Sequence, residues 1–241
     1  EGTGRADPDR GLILSEQHEQ PPPLRNTLRE GLAIPRVLLN PFRLPKGGAG
    51  FGRGRAAIVI PGLATGDVST TLLRRTLKAR GFEPEGWRRG LNTGADAGKL
   101  KELEARLSEL HRQTGKKVVL IGWSLYARVL AHRCPEHVDM VVTVASPFSG
   151  DRHANVAWKL YEAINDHTVD NPPFAEQVAA KPPVPTLAVW SAKDGIVSPD
   201  CSRGREGEAD ETLRIDAQHF ALGTSASAIE KILAKMADME A

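Results

Sequence analysis

Nowhere does the 241-residue chain approach the ~20 consecutive apolar residues of a membrane-spanning helix. An excess of one charge is also missing: 32 Lys and Arg against 30 Asp and Glu leave a formal +2, which makes no case for a nucleic-acid partner. Cysteine is scarce. Cys134 and Cys201 can pair in principle, but two cysteines without a dense pattern do not form a disulfide scaffold. His153 and His167 lack carboxylate or cysteine neighbours at metal-ligand spacing, so both read as structural or exposed, and neither metal nor cofactor is expected. No internal repeat is present, and no signal peptide is visible at the N-terminus, which makes the cytoplasm the expected location. What remains is the size and composition of one α/β domain, with 40% hydrophobic and 26% charged residues.

The centre of the pattern is Lys117 to Leu130, K-V-V-L-I-G-W-S-L-Y-A-R-V-L. A short run rich in β-branched residues, Val118 to Ile121, meets Gly122-Trp123-Ser124-Leu125 and then a stretch able to be helical. Strand, sharp turn and helix in that order make a nucleophile elbow with Ser124 at its apex. The turn lifts one hydroxyl above the sheet edge at a helix N-terminus, where backbone N–H groups favour developing negative charge. The G-x-S-x-G pattern is incomplete, because Tyr126 stands where the last Gly belongs.

Residues 1–23 are polar and end in Pro21-Pro22-Pro23, the pattern of a flexible arm. From 24 to 44, Leu28, Leu32, Ile34, Leu39 and Phe42 are interspersed with Arg25, Arg29, Arg36 and Arg43. One or two short helices broken near Pro35 and Pro41 are expected there. This segment either packs on the main sheet or offers a basic amphipathic surface to membrane or lipid. Residues 47–55 form a Gly/Arg linker. Expected strands are Ala56–Ile60, Phe82–Trp87, Met140–Ala145, Thr186–Trp190 and Leu213–Ile215. Helices are expected after Asp67 or Ser69, over Lys99–Gln113 with its stripe of Leu100, Leu103, Leu107 and Leu110, and over Ala228–Met239 behind a Ser225 cap. Residues 149–182 break the alternation and read as a cap over the site, with Trp158, Tyr161 and Phe174 available to line an acyl pocket beside Trp123.

Asp194 follows the Thr186–Trp190 strand and precedes Gly195; His219 follows Leu213–Ile215. Ser124, Asp194 and His219 therefore occur in the order nucleophile, acid, base, each just past a strand. A serine hydroxyl needs an imidazole to accept its proton, and the carboxylate fixes that imidazole's tautomer and stabilises its cation. The backbone N–H groups of Leu63, after Pro61-Gly62, and Leu125 are the expected oxyanion donors.

The segments I-P-G-L-A-T-G-D-V-S-T, V-V-L-I-G-W-S-L, V-A-S-P-F and S-A-K-D-G-I-V, with the region of His219, resemble bacterial α/β-hydrolases of the lipase and esterase type. The likeness runs from about Ala56 to the C-terminus, and Ser124, Asp194 and His219 fall on that family's triad positions. It implies an α/β-hydrolase fold, a mostly parallel sheet with helices on both faces and a small cap, and the hydrolysis of a small-molecule or lipid-like ester without metal or cofactor. An acyltransferase on the same triad is the nearest alternative. The chain departs from the family pattern G-W-S-L-G-G-x-Y-A-R by running from Leu125 straight into Tyr126-Ala127-Arg128. Losing three residues there shortens a helix by about 4.5 Å and turns its face by roughly 60°. A noncatalytic binding protein with a damaged elbow is the reading this departure favours.

Overall fold

Alternation along the strands decides the layering. Residues one apart on a strand face opposite sides of a sheet, and both sets are apolar and buried in runs such as Ala56–Ile60 and Val118–Ile121, as expected of strands covered on both faces. A computed structural model of the protein describes residues 19–33, 35, 39, 42, 48, 50–123, 125–173 and 177–240. Ser124 and Phe174 lie outside the described residues, as do 1–18 of the N-terminal arm and much of the segment from Ile34 to Lys46.

Six strands form one parallel sheet: β1 (Ala56–Ile60), β2 (Glu83–Glu85), β3 (Val118–Gly122), β4 (Val138–Val144), β5 (Thr186–Trp190) and β6 (Glu211–Arg214), in the order β2-β1-β3-β4-β5-β6. The register places Ile58 beside Leu120, Leu120 beside Val141 and Val142 beside Leu187. On one face, Ala57, Val59, Val119, Ile121 and Val142 pack with the helices Thr71–Ala79 (α2) and Ala226–Asp238 (α8) through residues such as Leu73, Leu77, Ile229 and Ile232. On the other, Ile58, Ile60, Leu120 and Val141 meet Ala97–Thr114 (α3) and Tyr126–Arg133 (α4) through Leu103, Leu107, Val129 and Leu130. Short helices complete the chain: α1 (Leu24–Glu30), α5 (Trp158–Ile164), α6 (Pro199–Arg203) and α7 (Ala221–Thr224).

Several boundaries differ from expectation for local reasons. Asp67 does not cap a helix with its side chain. Its carboxylate accepts from the N–H groups of Trp87 and Arg88, at 2.7 and 2.8 Å, and a 3₁₀ turn over Asp67–Thr70 precedes α2. That diversion ends β2 at Glu85, short of Trp87. The leucine-striped helix begins at Ala97, where the Asp96 side chain accepts from Lys99 N–H at 2.9 Å. The closing helix starts at Ala226, one residue past Ser225, whose side chain makes no capping bond to it. Cys134 and Cys201 are both free.

Helix α4 runs without a break from the Leu125–Tyr126 junction. Leu125 has helical angles (φ −64°, ψ −18°), and its carbonyl accepts from Val129 N–H at 3.0 Å. The Tyr126 side chain points into the layer between α3 and the sheet. There it lies against Trp87 with ring centroids 5.3 Å apart and donates its hydroxyl to Gly94 O at 2.7 Å. The ring that stands in place of the glycine is thus accommodated in the core beside α3.

Candidate active site

Parallel strands deliver their C-terminal ends to one edge of the sheet, the place where α/β proteins build sites. Pro61–Gly66 after β1, Trp123 and Leu125 after β3, Ala145 after β4, Asp194 after β5 and His219 after β6 all arise there. The structure brings acid and base into direct contact. His219 Nδ1 lies 2.9 Å from Asp194 Oδ2, and because an ionised carboxylate only accepts, the imidazole carries its proton on Nδ1. Asp194 is fully buried, and its Oδ1 accepts from the N–H groups of Ile196 and Val197, each at 2.8 Å. Both oxygens are committed, which fixes the rotation of the carboxylate.

Burial opposes the charged form of His219, but the neighbouring Asp194 charge and hydrogen bond, joined by the charge of Glu30, win; the imidazole pKa rises above its ordinary value. The rise stabilises the folded protein below about pH 6.5. That contribution is lost as the pH climbs through the folded-state value.

Two residues that the sequence did not single out hold the surrounding turns. Asn92 is fully buried; its Nδ2 donates to Pro61 O at 2.7 Å, its Oδ1 accepts from Gly94 N–H at 3.0 Å, and its carbonyl accepts from Ala64 N–H at 2.7 Å. It shapes the loop that carries Leu63. Ala64 in that loop and Ala145 at the end of β4 both have left-handed backbones, with φ of 57° and 49°, the kind of strain that collects at functional sites. Glu30, at the end of α1, has its carboxylate buried against the backbone of the acid and base turns. Neither contact has a signal in sequence spacing, because each joins segments far apart in the chain.

Helix α1 is oriented against its apolar pattern. Asn26 and Glu30 face inward, while Leu24 and Leu28, and Leu32 in the 3₁₀ turn beyond, are 73%, 72% and 75% exposed. Gly195 permits this close seating, since a Cβ there would sit 2.4 Å from Asn26 O. A similar approach fixes Trp123. Its ring lies so close to Gly223 that a Cβ on that residue would fall 1.3 Å from the indole.

A cavity of about 620 Å³ opens at this edge, with Leu63, Trp123, Leu125, Trp158, Tyr161 and His219 on its wall. Five of those residues are the expected oxyanion donors and pocket aromatics, and the sixth is the expected base. Both chain neighbours of Ser124 therefore face the same space, while Ser124 itself lies outside the described residues. No Asp or Glu appears on the wall among the described residues, and Arg152 is the only lining residue there besides His219 with an ionisable basic side chain. The 149–182 segment covers one side through α5. Tyr161 and His167 share a 3.0 Å hydrogen bond, and His167 Nε2 lies 3.1 Å from Ala95 O. His153 is brought near two carboxylates, Asp151 at 3.5 Å and Asp170 at 3.7 Å. Even so, no cluster of three or more ligand side chains suited to a metal ion occurs among the described residues.

The architecture matches solved structures of α/β-hydrolases. A carboxylesterase from Bacillus subtilis aligns with a TM-score of 0.53 at 10% identity, over 89% of this chain and 99% of that one. An esterase from Pyrococcus furiosus aligns at 0.55 and 12% identity, over 78% and 82%. The 2-hydroxy-6-oxo-6-phenylhexa-2,4-dienoate hydrolase of Rhodococcus sp. strain RHA1 aligns at 0.57 and 12%, over 78% and 92%. No family model matches the chain, and no curated protein matches it by sequence. The protein has the α/β-hydrolase fold.

Proposed function

We propose that this protein is a serine carboxylic-ester hydrolase. The observation that carries the reading is the buried Asp194–His219 pair opening onto an apolar cavity beside the residues that flank Ser124. Ser124 Oγ attacks the ester carbonyl as His219 Nε2 accepts its proton. Asp194 holds Nδ1–H and balances the imidazolium. The N–H groups of Leu63 and Leu125 receive the oxyanion. Collapse breaks the bond to the alcohol, which leaves with the proton from His219. Water, deprotonated by the same imidazole, then releases the acid from the acyl-enzyme. A wall that among the described residues holds no carboxylate and is rich in Trp, Tyr and Leu favours neutral, apolar acyl groups over charged ones.

The test is hydrolysis of a p-nitrophenyl ester series by wild type and Ser124→Ala. Turnover is expected to vanish in the variant, and in wild type to fall on the acid side around a midpoint above the ordinary imidazole value, since only neutral His219 can accept the proton. Turnover that survives in Ser124→Ala refutes the reading. An added alcohol that captures the acyl group faster than water makes the protein a transferase on the same residues.

The outer face of α1 favours a lipid setting for this chemistry. Leu24 and Leu28, with Leu32 in the 3₁₀ turn that follows, are exposed and flanked by exposed Arg25 and Arg29, and Glu30, the acidic residue of the helix, is turned inward. Apolar groups framed by cations suit an anionic lipid surface. No helix among the described residues is long and apolar enough to cross a membrane, so the contact is peripheral. Co-sedimentation with phosphatidylserine-containing vesicles is expected for wild type and lost in Leu24→Ser/Leu28→Ser. Equal pelleting of both proteins, or a dimer that the double substitution dissolves, overturns the lipid assignment.

A further inference from the structure

The acid and base of this site lie in two turns separated by 25 positions, each entered from a different strand. One buried side chain from a third segment reaches both. Glu30 Oε1 accepts from Gly195 N–H at 2.9 Å and from His219 N–H at 2.7 Å, while Oε2 accepts from Phe220 N–H at 3.3 Å. Only 3% of Glu30 is exposed. The rest of the inward face of α1 grips the acid turn: Thr27 Oγ1 donates to Gly195 O at 2.8 Å, and Asn26 Nδ2 lies 3.5 Å from Asp194 O. The catalytic sequence described above uses no group of α1.

We propose that Glu30 is a positioning residue that binds the acid turn and the base turn into one rigid unit and so sets the Asp194–His219 hydrogen bond from behind. The inference rests on the triad reading and deepens it. Glu30 is not itself on the cavity wall; it acts from behind, through the backbone of Gly195, His219 and Phe220. A carboxylate suits the task better than an amide, because ionised it presents only acceptors to three converging N–H donors.

A second consequence follows from its charge. The ionisable groups that bear on Glu30 are His219 and Asp194, and those that bear on His219 are Asp194 and Glu30. Burial, aided by the Asp194 charge, pushes the Glu30 carboxyl up despite its bonds to the His219 and Gly195 backbone. Ionised Glu30 in turn helps to keep His219 protonated. The carboxyl with a raised pKa disfavours the folded state at pH values above its titration. Removing the charge therefore relieves a folding cost at neutral pH while weakening the support of the imidazolium.

The experiment compares wild type, Glu30→Gln and Glu30→Asp on a p-nitrophenyl ester, together with an NMR titration of the His219 imidazole and thermal denaturation. In Glu30→Gln, kcat is expected to fall between roughly ten- and a hundred-fold with little change in KM, the scale of a slightly misplaced catalytic group. The acid limb of the pH profile and the His219 midpoint should both move to lower pH. Glu30→Asp should recover the wild-type direction of the His219 shift. In wild type, the Gly195 and His219 amide protons should share one acidic midpoint, a readout that survives if a variant does not fold. An unchanged kcat and an unchanged His219 midpoint in Glu30→Gln, or amide protons that titrate independently in wild type, overturn the proposal. The imidazole titration needs no turnover, so failure of the positioning role is distinguishable from activity in Ser124→Ala, which instead removes the triad reading.

Discussion

Asp194→Asn is expected to lower kcat by about four orders of magnitude in a protein that still folds. The reason lies in the carboxylate's two commitments. Oδ1 takes the N–H groups of Ile196 and Val197, and Oδ2 takes His219 Nδ1–H. An amide has only one oxygen. If that oxygen stays with the two backbone donors, which outnumber the imidazole, the NH₂ faces Nδ1. The imidazole must then accept there and carry its proton on Nε2, where it can no longer receive one from a serine. The opposite rotation leaves two buried backbone donors facing an NH₂ group, at a cost of roughly 1–3 kcal/mol each. The first arrangement wins, so the variant is folded and has the wrong tautomer. Steady-state kinetics with circular dichroism checks the outcome, and a loss smaller than ten-fold contradicts the assigned geometry.

Arg128→Met is expected to destabilise the fold by about 3–5 kcal/mol and to lower Tm by roughly 10 °C for a domain of this size. Arg128 is fully buried on α4. Its Nε donates to Val178 O at 2.6 Å, and its Nη2 reaches the carbonyls of Ala179 and Ala180 at 3.0 Å and Glu208 at 2.8 Å. The guanidinium also stacks over Phe148, 4.0 Å from the ring centroid. Burial draws its pKa down to about 10, so the group stays charged at neutral pH. Methionine fills similar space and removes a buried charge, which by itself can favour folding. Three carbonyls lose their side-chain donor, however, while Ala180 O keeps His132 Nε2 at 3.0 Å, and that loss is larger. Val178, Ala179 and Ala180 belong to the cavity wall, so KM for longer esters should rise as well. Thermal melts and KM across a chain-length series test this; an unchanged Tm contradicts it.

Those residues also mark what a sequence can disclose. The central strands were legible because each is a short apolar run covered on both faces, and the approach of Asp194 to His219 was legible because the turns after parallel strands converge by topology. Trp123, Trp158 and Tyr161 were placed near the cavity by their neighbourhood in the chain, and all three line it. The end of β2 and the start of α2 were misread because Asp67 spends its carboxylate on Trp87 and Arg88. Glu30 could not be found by periodicity. Its helix carries leucines at apolar spacing, which points that face inward, yet the buried face is polar and is satisfied by backbone donors more than 160 residues away. Asn92 was hidden for the same reason, since its partners lie in a loop some 30 positions earlier.

The most direct test of the central claim is to expose intact-mass-verified protein to a fluorophosphonate and locate the adduct by peptide mass spectrometry. One adduct is expected, on Ser124, forming slowly in His219→Ala and absent in Ser124→Ala. A folded protein that takes no label, or takes it on another residue, contradicts a serine hydrolase built on Ser124 and leaves the cavity as a binding site.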